Sequence, residues 1–303
     1  MSKVIKPNFF IVGAPRCGTT SLYNYLSSHP NIFMSFPKEP GFFSSDFSRY
    51  QIVKTMPQYL SLFKKTKICH QAVGEASTRY LQSLVALKNI KQFNDKAKII
   101  VMLRNPVDLV YSSYYQMRYR RNEDASTFKE AWNLQDLRKK GFNLPKRNHS
   151  EQFLQYSEVG KLGAQVKRLL GVFSHGQVKI IIFDDFISKT REIYEEVLDF
   201  LSIPRDDKIT FKVFNQNRVY RRDFINRLTK DPPKKLSSGI VKFKKIAGLK
   251  TLGIKKILNN LNAKHIKRQP LDEEFKKVLI KEFQSDVLIL SDMINRDLSH
   301  WLK

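Results

Sequence analysis

The residues best suited to chemistry lie in a glycine-containing loop near the start of the sequence. An apolar run ends at Gly13, Gly18 follows after four intervening residues, and helical spacing of apolar residues begins shortly afterwards. A strand, a glycine loop and a helix start together bind phosphate-like anions, because backbone N–H groups at a helix N-terminus point at the ligand. The glycine spacing is that of a P-loop, but Thr19 stands where that motif has lysine, and Arg16 supplies a cation from within the loop instead.

Two further segments place charged residues in distinctive surroundings. Lys38 and Glu39 lie within residues 36–43, which read Phe-Pro-Lys-Glu-Pro-Gly-Phe-Phe. Arg104 directly follows an apolar run, and Ser112 comes eight residues later. Together with the glycine loop, these segments resemble the sulfotransferases that use 3′-phosphoadenylyl sulfate (PAPS), in their bacterial and carbohydrate-type branch.

The resemblance implies a role for each of these residues. The glycine loop would hold the 5′-phosphosulfate of PAPS, and Arg104 and Ser112 would hold its 3′-phosphate. Glu39 would be the general base that takes a proton from the acceptor, with Lys38 beside the sulfuryl group; Gly41 departs from the family, since many relatives have histidine there. The loop residues expected to bind the donor are Arg16, Cys17, Gly18, Thr19, Thr20 and Ser21.

The resemblance extends to the later part of the chain. Residues 215–222 resemble a family loop that closes over the donor, in which Arg218 and Arg221 would be the cationic contacts. Sulfuryl transfer, by analogy with phosphoryl transfer, depends mainly on positioning and on stabilising charge, so Arg16 is expected to neutralise the leaving group. No cluster of histidine, cysteine and acidic residues has metal-ligand spacing, and the prediction includes no metal.

Apolar runs predict the elements that position these residues. Residues 9–12, 98–103 and 178–183 are short, apolar and rich in β-branched side chains, and residues 72–73 predict a fourth, shorter strand. Helical periodicity separates the runs, which indicates an α/β, P-loop-like three-layer fold with a central parallel sheet flanked by helices. Ligands bind beyond the C-terminal ends of such strands, so the glycine loop and the segment after Arg104 are expected to meet.

Length and charge set limits on organisation and location. The 303 residues predict a single domain, with a core over about residues 6–205 and a basic, helical part over residues 206–303. The net charge is +26, and residues 240–258 are basic and roughly amphipathic. That stretch fits either a surface helix packed on the core or peripheral contact with an anionic membrane. Two cysteines, no long apolar run and no signal-like N-terminus favour the cytoplasm.

Three functions remain open on the sequence alone. The resemblance favours transfer of a sulfuryl group from PAPS, with PAP as product, to a hydroxyl or amine of a carbohydrate, a glycolipid or a small molecule. A P-loop kinase or NTPase is the first alternative, which the missing lysine after Gly18 disfavours. A non-enzymatic basic module that binds nucleic acid or membrane is the second. It leaves the glycine loop unexplained, and no nucleic-acid motif is present, so no nucleic-acid partner is expected.

Overall fold

The chain forms two compact units. The first comprises Met1–Phe214 and Leu271–Lys303, and the second comprises Asn215–Pro270. The computed structural model describes residues 6–147, 150–206, 209–212 and 269–303, with the backbone alone for residues 218–220 and 263–265. That the whole chain acts as one domain stays a prediction.

A five-stranded parallel sheet forms the centre of the first unit. Its strands are β1 (Phe9–Gly13), β2 (Ile32–Met34), β3 (Ala72–Ala76), β4 (Lys98–Leu103) and β5 (Val178–Ile182). They lie in the order β2-β3-β1-β4-β5, and every neighbouring pair is parallel. Every residue of β1 is buried, as expected for a strand covered on both faces. The predicted α/β fold with a central parallel sheet is therefore confirmed.

Helices connect these strands. The α-helices are α1 (Thr19–Ser28), α2 (Met56–Ser61), α3 (Ala86–Phe93), α4 (Pro106–Tyr119), α5 (Phe128–Asn133), α6 (Gln135–Lys139), α7 (Tyr156–Gly160), α8 (Leu162–Leu170), α9 (Phe183–Ser188), α10 (Thr190–Leu201) and α11 (Glu273–Met293). Short polar side chains begin several of them, since such residues satisfy free N–H groups in the first turn. Asn105 caps α4 by accepting the N–H of Val107 at 2.9 Å, and Pro106 occupies its first position. Thr127 caps α5 and Asp272 caps α11.

The last long helix packs closely on α8. The backbone N–H groups of Gly163 and Ala164 donate to the two carboxylate oxygens of Asp286 at 2.7 and 2.8 Å. A Cβ atom on Gly163 would lie 2.3 Å from the Asp286 carbonyl oxygen, and one on Gly160 would lie 2.4 Å from the Phe283 ring. The lack of side chains at these two glycines therefore allows α11 to join the core of the first unit.

The second unit contains one described strand pair. Strands β6 (Arg218–Tyr220) and β7 (Ala263–His265) are antiparallel. Arg218 begins β6, while Arg221 and the basic stretch over residues 240–258 lie outside the described residues. Among the helices that the structure describes, none has both the length and the apolar character needed to cross a membrane.

Candidate active site

The turn between β1 and α1 leaves a helix N-terminus open. Gly18 stands at the cap position with φ 83°, a left-handed conformation that glycine adopts at little cost, and no side chain caps α1. The N–H groups of Thr19 and Thr20 have no partner in the described part of the chain. A Cβ atom on Gly18 would lie 3.0 Å from the Phe183 ring. This cradle fits a phosphate or sulfate group, because the helix N-terminus offers donors and a partial positive charge.

Arg16 joins the glycine loop to α4. Its Nε donates a hydrogen bond to the Oγ of Ser112 at 2.7 Å, and Ser112 is buried in α4. The two segments follow neighbouring strands β1 and β4, so their meeting agrees with the sheet geometry. The structure thus places a guanidinium and a hydroxyl together beside the cradle.

Arg104 lies at the end of β4, close to the same loop. Its Nη2 forms an ion pair with Asp108 Oδ2 at 2.8 Å, one turn along α4, and its guanidinium lies 4.9 Å from the centre of the Phe183 ring. Its side chain keeps 21% exposure, so the group is accessible to a ligand. Arg104 and Arg16 are both close enough to act electrostatically on the Cys17 thiol. The glycine loop therefore contains one cation, Arg16, and lies close to a second, Arg104.

Cys17 is a buried loop residue. Its Sγ contacts the Pro15 carbonyl oxygen at 3.5 Å. Burial raises the pKa of the thiol to about 12, and the opposing influence of Arg104 and Arg16 does not offset this. The thiol therefore stays protonated at neutral pH and is not a nucleophile.

Glu39 is held in place by neighbours from three segments. Its carboxylate pairs with the Lys38 ammonium and accepts hydrogen bonds from the Tyr50 hydroxyl and the Thr78 N–H, both at 2.8 Å. Burial alone raises the pKa of this carboxyl, but the Lys38 charge and the hydrogen bonds outweigh it and hold the pKa below its ordinary value. The side chain keeps 21% exposure. Glu39 is therefore an oriented, ionised carboxylate at neutral pH that a ligand can reach.

A small cleft of about 40 Å³ is lined both by Glu39 and by Pro15 of the glycine loop. Six residues of its wall matter here: Pro15, Glu39, Tyr50, Arg79, Arg120 and Asn122. Pro15 belongs to the glycine loop, so one wall of the cleft is the loop itself. The cleft therefore adjoins both the Glu39 carboxylate and the glycine loop.

Known proteins resemble this chain in sequence and in fold. The model of a sulfotransferase domain matches residues 6–247. The chain belongs to the sulfotransferase family. Over 251 residues it is 28% identical to carbohydrate sulfotransferase 15 of Mus musculus. That match covers 65% of this chain and 44% of the relative.

Other relatives agree with this family. The bifunctional heparan sulfate N-deacetylase/N-sulfotransferase 4 of Mus musculus is 28% identical over 201 residues, covering 65% of this chain and 22% of that protein. The chain thus spans less than half the length of these two curated relatives. The fold also matches a crystal structure of a sulfotransferase from Alicyclobacillus acidocaldarius, with 27% sequence identity and a TM-score of 0.72. The superposition covers 99% of this chain and 100% of the Alicyclobacillus chain.

Glu75 in this sulfotransferase is placed differently from the candidate base. Its carboxyl is fully buried and accepts hydrogen bonds from the Tyr59 hydroxyl at 2.5 Å and the Ser77 hydroxyl at 2.7 Å. Burial raises its pKa to about 7, despite the lowering effect of the hydroxyl groups around it. Glu75 is therefore an enclosed carboxyl that a ligand in the cleft does not contact.

The sequence indicated some contacts of the site and missed others. Arg16, Ser112, Arg104 and Glu39 lie around the cradle and the cleft. Tyr50 lies eleven residues after Glu39 and donates a hydrogen bond to its carboxylate. No local pattern in the sequence indicated this contact. The other missed residues are Thr78, Arg79, Arg120 and Asn122. Thr78 and Arg79 follow closely after β3, at the edge of the sheet where ligands bind, and that position could have indicated these two residues from the sequence.

The closing segment of the sulfotransferase chain reaches the same edge of the sheet. The guanidinium of Arg296 binds both carboxylate oxygens of Asp185 in α9. The Trp301 indole N–H donates to Asp184 at 3.3 Å, and the Trp301 carbonyl oxygen accepts from the Asn105 side chain at 3.2 Å. Asn105 is the cap of α4 and follows Arg104. These contacts fix the turn that carries Arg104.

Proposed function

We propose that this chain transfers a sulfuryl group from PAPS to a hydroxyl or amine of a carbohydrate acceptor, such as a glycan or glycolipid. The observation that carries the proposal is the cleft in which Glu39 faces the glycine loop, in a chain of the sulfotransferase family. Bound in the cradle, PAPS would supply an activated sulfuryl group. The protein has to hold the donor, orient the acceptor and take up one proton.

The donor side of the site suits two separate phosphate groups. The open start of α1, with Arg16 beside it, would hold the 5′-phosphosulfate, since N–H donors and a guanidinium both bind anionic oxygens. Arg104 and Ser112 would hold the 3′-phosphate. The absence of lysine after Gly18 disfavours a nucleoside triphosphate. Within the described residues, no group of histidine, cysteine and acidic side chains is arranged to hold a metal ion.

On the acceptor side, Glu39 would act as general base. Its pKa lies below the ordinary value, so the carboxylate is available across the neutral range. Lys38, Tyr50 and Thr78 fix its orientation, which favours proton uptake from one defined direction. Arg16 would stabilise the charge that develops on the leaving group.

Carbohydrate is the acceptor class that the relatives favour. One curated relative is named as a carbohydrate sulfotransferase and another as a heparan sulfate N-sulfotransferase. The cleft beside Glu39 is lined largely by polar and charged side chains, which suits a hydroxyl-rich ligand. Contact of residues 240–258 with an anionic membrane remains a separate proposal, which vesicle sedimentation with and without that stretch would test.

Calorimetric titration with PAP tests the donor assignment. The purified protein should bind PAP more tightly than AMP or magnesium–ATP, because only PAP carries a 3′-phosphate. Arg104→Ala should weaken PAP binding by about 1.5–3 kcal/mol, the usual contribution of a hydrogen bond to a charged group. Arg118→Ala, which removes a cation from α4 that is bound to the Ser126 carbonyl oxygen, is the matched control and should leave PAP affinity unchanged. Equal affinity for PAP and AMP would contradict the proposal, and tighter binding of magnesium–ATP would favour a kinase.

A further inference from the structure

Glu75 is a buried acid that the proposed transfer leaves without a role. It lies near the end of β3, which is buried along its whole length, and its own exposure is 0%. Acidic side chains are rarely buried to this degree unless their oxygens are bonded. Hydroxyl groups bond to this one: Tyr59 donates to Oε2 at 2.5 Å and Ser77 donates to Oε1 at 2.7 Å. A third hydrogen bond, from the Tyr80 hydroxyl, lowers the pKa of the carboxyl.

Two of these hydroxyl groups also bind the backbone of the segment that follows the candidate base. The Ser77 Oγ accepts the N–H of Gly41 at 3.1 Å, and the Tyr80 hydroxyl accepts the N–H of Phe43 at 3.2 Å. A hydroxyl group has one proton to donate and two lone pairs with which to accept. Because each proton is directed to Glu75, the lone pairs remain available to the two N–H groups. The carboxyl therefore sets the orientation of both hydroxyl groups.

Tyr59 supports the same segment through its ring. The ring of Phe42 is stacked on it, with centres 4.6 Å apart and 14° between the planes. The ring of Phe43 lies edge-on to it, with centres 5.1 Å apart. The hydroxyl bond to Glu75 fixes where the Tyr59 ring lies. Three consecutive residues, 41–43, thus contact three hydroxyl-bearing partners of one carboxyl.

This segment continues directly from Glu39. The N–H of Glu39 donates to the Ala76 carbonyl oxygen at 2.8 Å, and its carboxylate accepts the Thr78 N–H at 2.8 Å. Glu39 and Gly41 have φ of 65° and 69°, and a residue with a side chain adopts such a conformation only where its surroundings impose it. The bonds at these two residues therefore hold the base in a backbone conformation that it would not adopt by itself.

From these contacts, and on the basis of the proposed function, we infer that Glu75 is a positioning residue for the general base. It orients the hydroxyl groups of Ser77 and Tyr80 and the ring of Tyr59. These three hold the segment after Glu39, so that the carboxylate of the base keeps its place in the wall of the cleft. Glu75 acts through its neighbours and does not meet the acceptor.

The pKa of Glu39 reports its position and can be measured without an acceptor. This pKa lies below the ordinary value because the Lys38 charge and the hydrogen bonds from Tyr50 and Thr78 outweigh burial. A displaced carboxylate loses part of these contacts, so its pKa should rise. An NMR titration of the free protein, labelled at the carboxyl carbon of glutamate, measures the pKa. The spectrum of Glu39→Gln identifies the signal, because that variant lacks it.

Glu75→Leu and Ser77→Ala should each raise the pKa of Glu39 by about half a pH unit or more, as expected when a charged form loses a hydrogen bond. The sign separates positioning from charge. Two carboxylates repel each other, so removing Glu75 would through charge alone lower the pKa of Glu39 or leave it unchanged. Ser35→Ala is the matched control, since it removes a buried hydroxyl that has no hydrogen-bond partner within the described residues. It should leave the pKa of Glu39 unchanged.

Two results overturn the inference. One is a Glu39 pKa that stays the same in Glu75→Leu and Ser77→Ala, and the other is a pKa that falls in Glu75→Leu. Amide NMR spectra show which variants retain the fold. If Glu75→Leu does not fold, Ser77→Ala and Tyr80→Phe decide, because each removes a single hydroxyl group that bonds to the segment after the base.

PAP affinity distinguishes this inference from the proposed function. Ser77→Ala should bind PAP as tightly as the unchanged protein, because the residues assigned to the donor lie on other segments. Retained affinity with a raised pKa of Glu39 supports the inference. Lost affinity in Ser77→Ala would show that the hydroxyl also supports the donor site, and a role confined to the base would be wrong. If the unchanged protein does not bind PAP, the proposed function fails, and the role of Glu39 as base fails with it.

Discussion

Glu39 combines a strained backbone with a highly constrained side chain. Its φ is 65°, a conformation that costs a residue with a side chain of the order of 1–3 kcal/mol and is often associated with function. The carboxylate also has three partners, namely the Lys38 ammonium, the Tyr50 hydroxyl and the Thr78 N–H. At the scale of single residues, this is the strongest indication that the position of Glu39 has been fixed for chemistry.

Replacing Glu39 tests its role as base. Glu39→Gln keeps the shape of the side chain but removes proton uptake, so turnover should fall by roughly two to four orders of magnitude. PAP binding should persist, because the donor residues lie on other segments. The measurement is sulfate transfer at saturating PAPS, with calorimetry alongside. Glu158→Gln, an exposed carboxylate paired with Lys161, serves as the control. Full turnover in Glu39→Gln would exclude Glu39 as the base.

Glu75 gives a prediction about pH and stability. Its folded-state pKa of about 7 lies above the ordinary value of 4.5, so folding favours the protonated carboxyl. That stabilisation is complete below about pH 4.5 and is lost as the pH rises through about 7. Glu75→Gln, which stays neutral, should therefore gain stability relative to the unchanged protein at pH 8.5 but not at pH 5. Thermal unfolding midpoints across this range provide the measurement, and parallel pH curves for both proteins would contradict it.

At the scale of elements, close helix packing determines how the end of the chain joins the core. Helix α11 approaches α8 so closely that Gly163 has no room for a side chain. Two N–H groups at the start of α8 are satisfied by Asp286 of α11, and burial raises the pKa of that carboxyl even though these N–H groups oppose the change. The two helices therefore behave as one packed element.

A glycine substitution measures this packing. Gly163→Ala should lower the free energy of unfolding by about 1–3 kcal/mol, the usual cost of overpacking, because the new methyl group meets backbone of α11 at 2.3 Å. Gly176→Ala is the matched control, since nothing lies within 4 Å of a Cβ atom there. Chemical denaturation compares the two variants. Similar stability in both would show that α8 and α11 separate easily.

At the scale of the whole molecule, the sequence predicts the sheet better than the cleft. The strands over residues 9–12, 98–103 and 178–183 are found within one residue of those bounds. β1 and β4 are buried along almost their whole length, and such strands need continuous apolar runs. β5 lies at the edge of the sheet and is half-buried at its start, but it too contains a run of isoleucines that predicts a strand. β2 was missed, since three residues are too few to show a pattern. Residue 183 begins α9 instead of ending the strand.

The cleft was harder to predict because its residues come from separate segments. Glu39, Tyr50, Arg79 and Arg120 lie in loops after β2, after β3 and after α4, and only the folded sheet brings them together. Local sequence patterns indicate helices, strands and turns through the spacing of apolar residues, but they do not show which distant loops lie close together. The family resemblance indicated Glu39, but the two arginines of the cleft, Arg79 and Arg120, became evident only from the folded structure.

Helix α4 sets the spacing between two parts of the site. Ser112, beside the donor cradle, and Arg120, at the rim of the cleft, lie eight residues apart along this one helix. The rise of an α-helix makes that spacing about 12 Å, and a helix does not stretch. The helix therefore fixes the separation between the cradle of the glycine loop and the rim of the cleft. A molecule that fills both places has to span that distance.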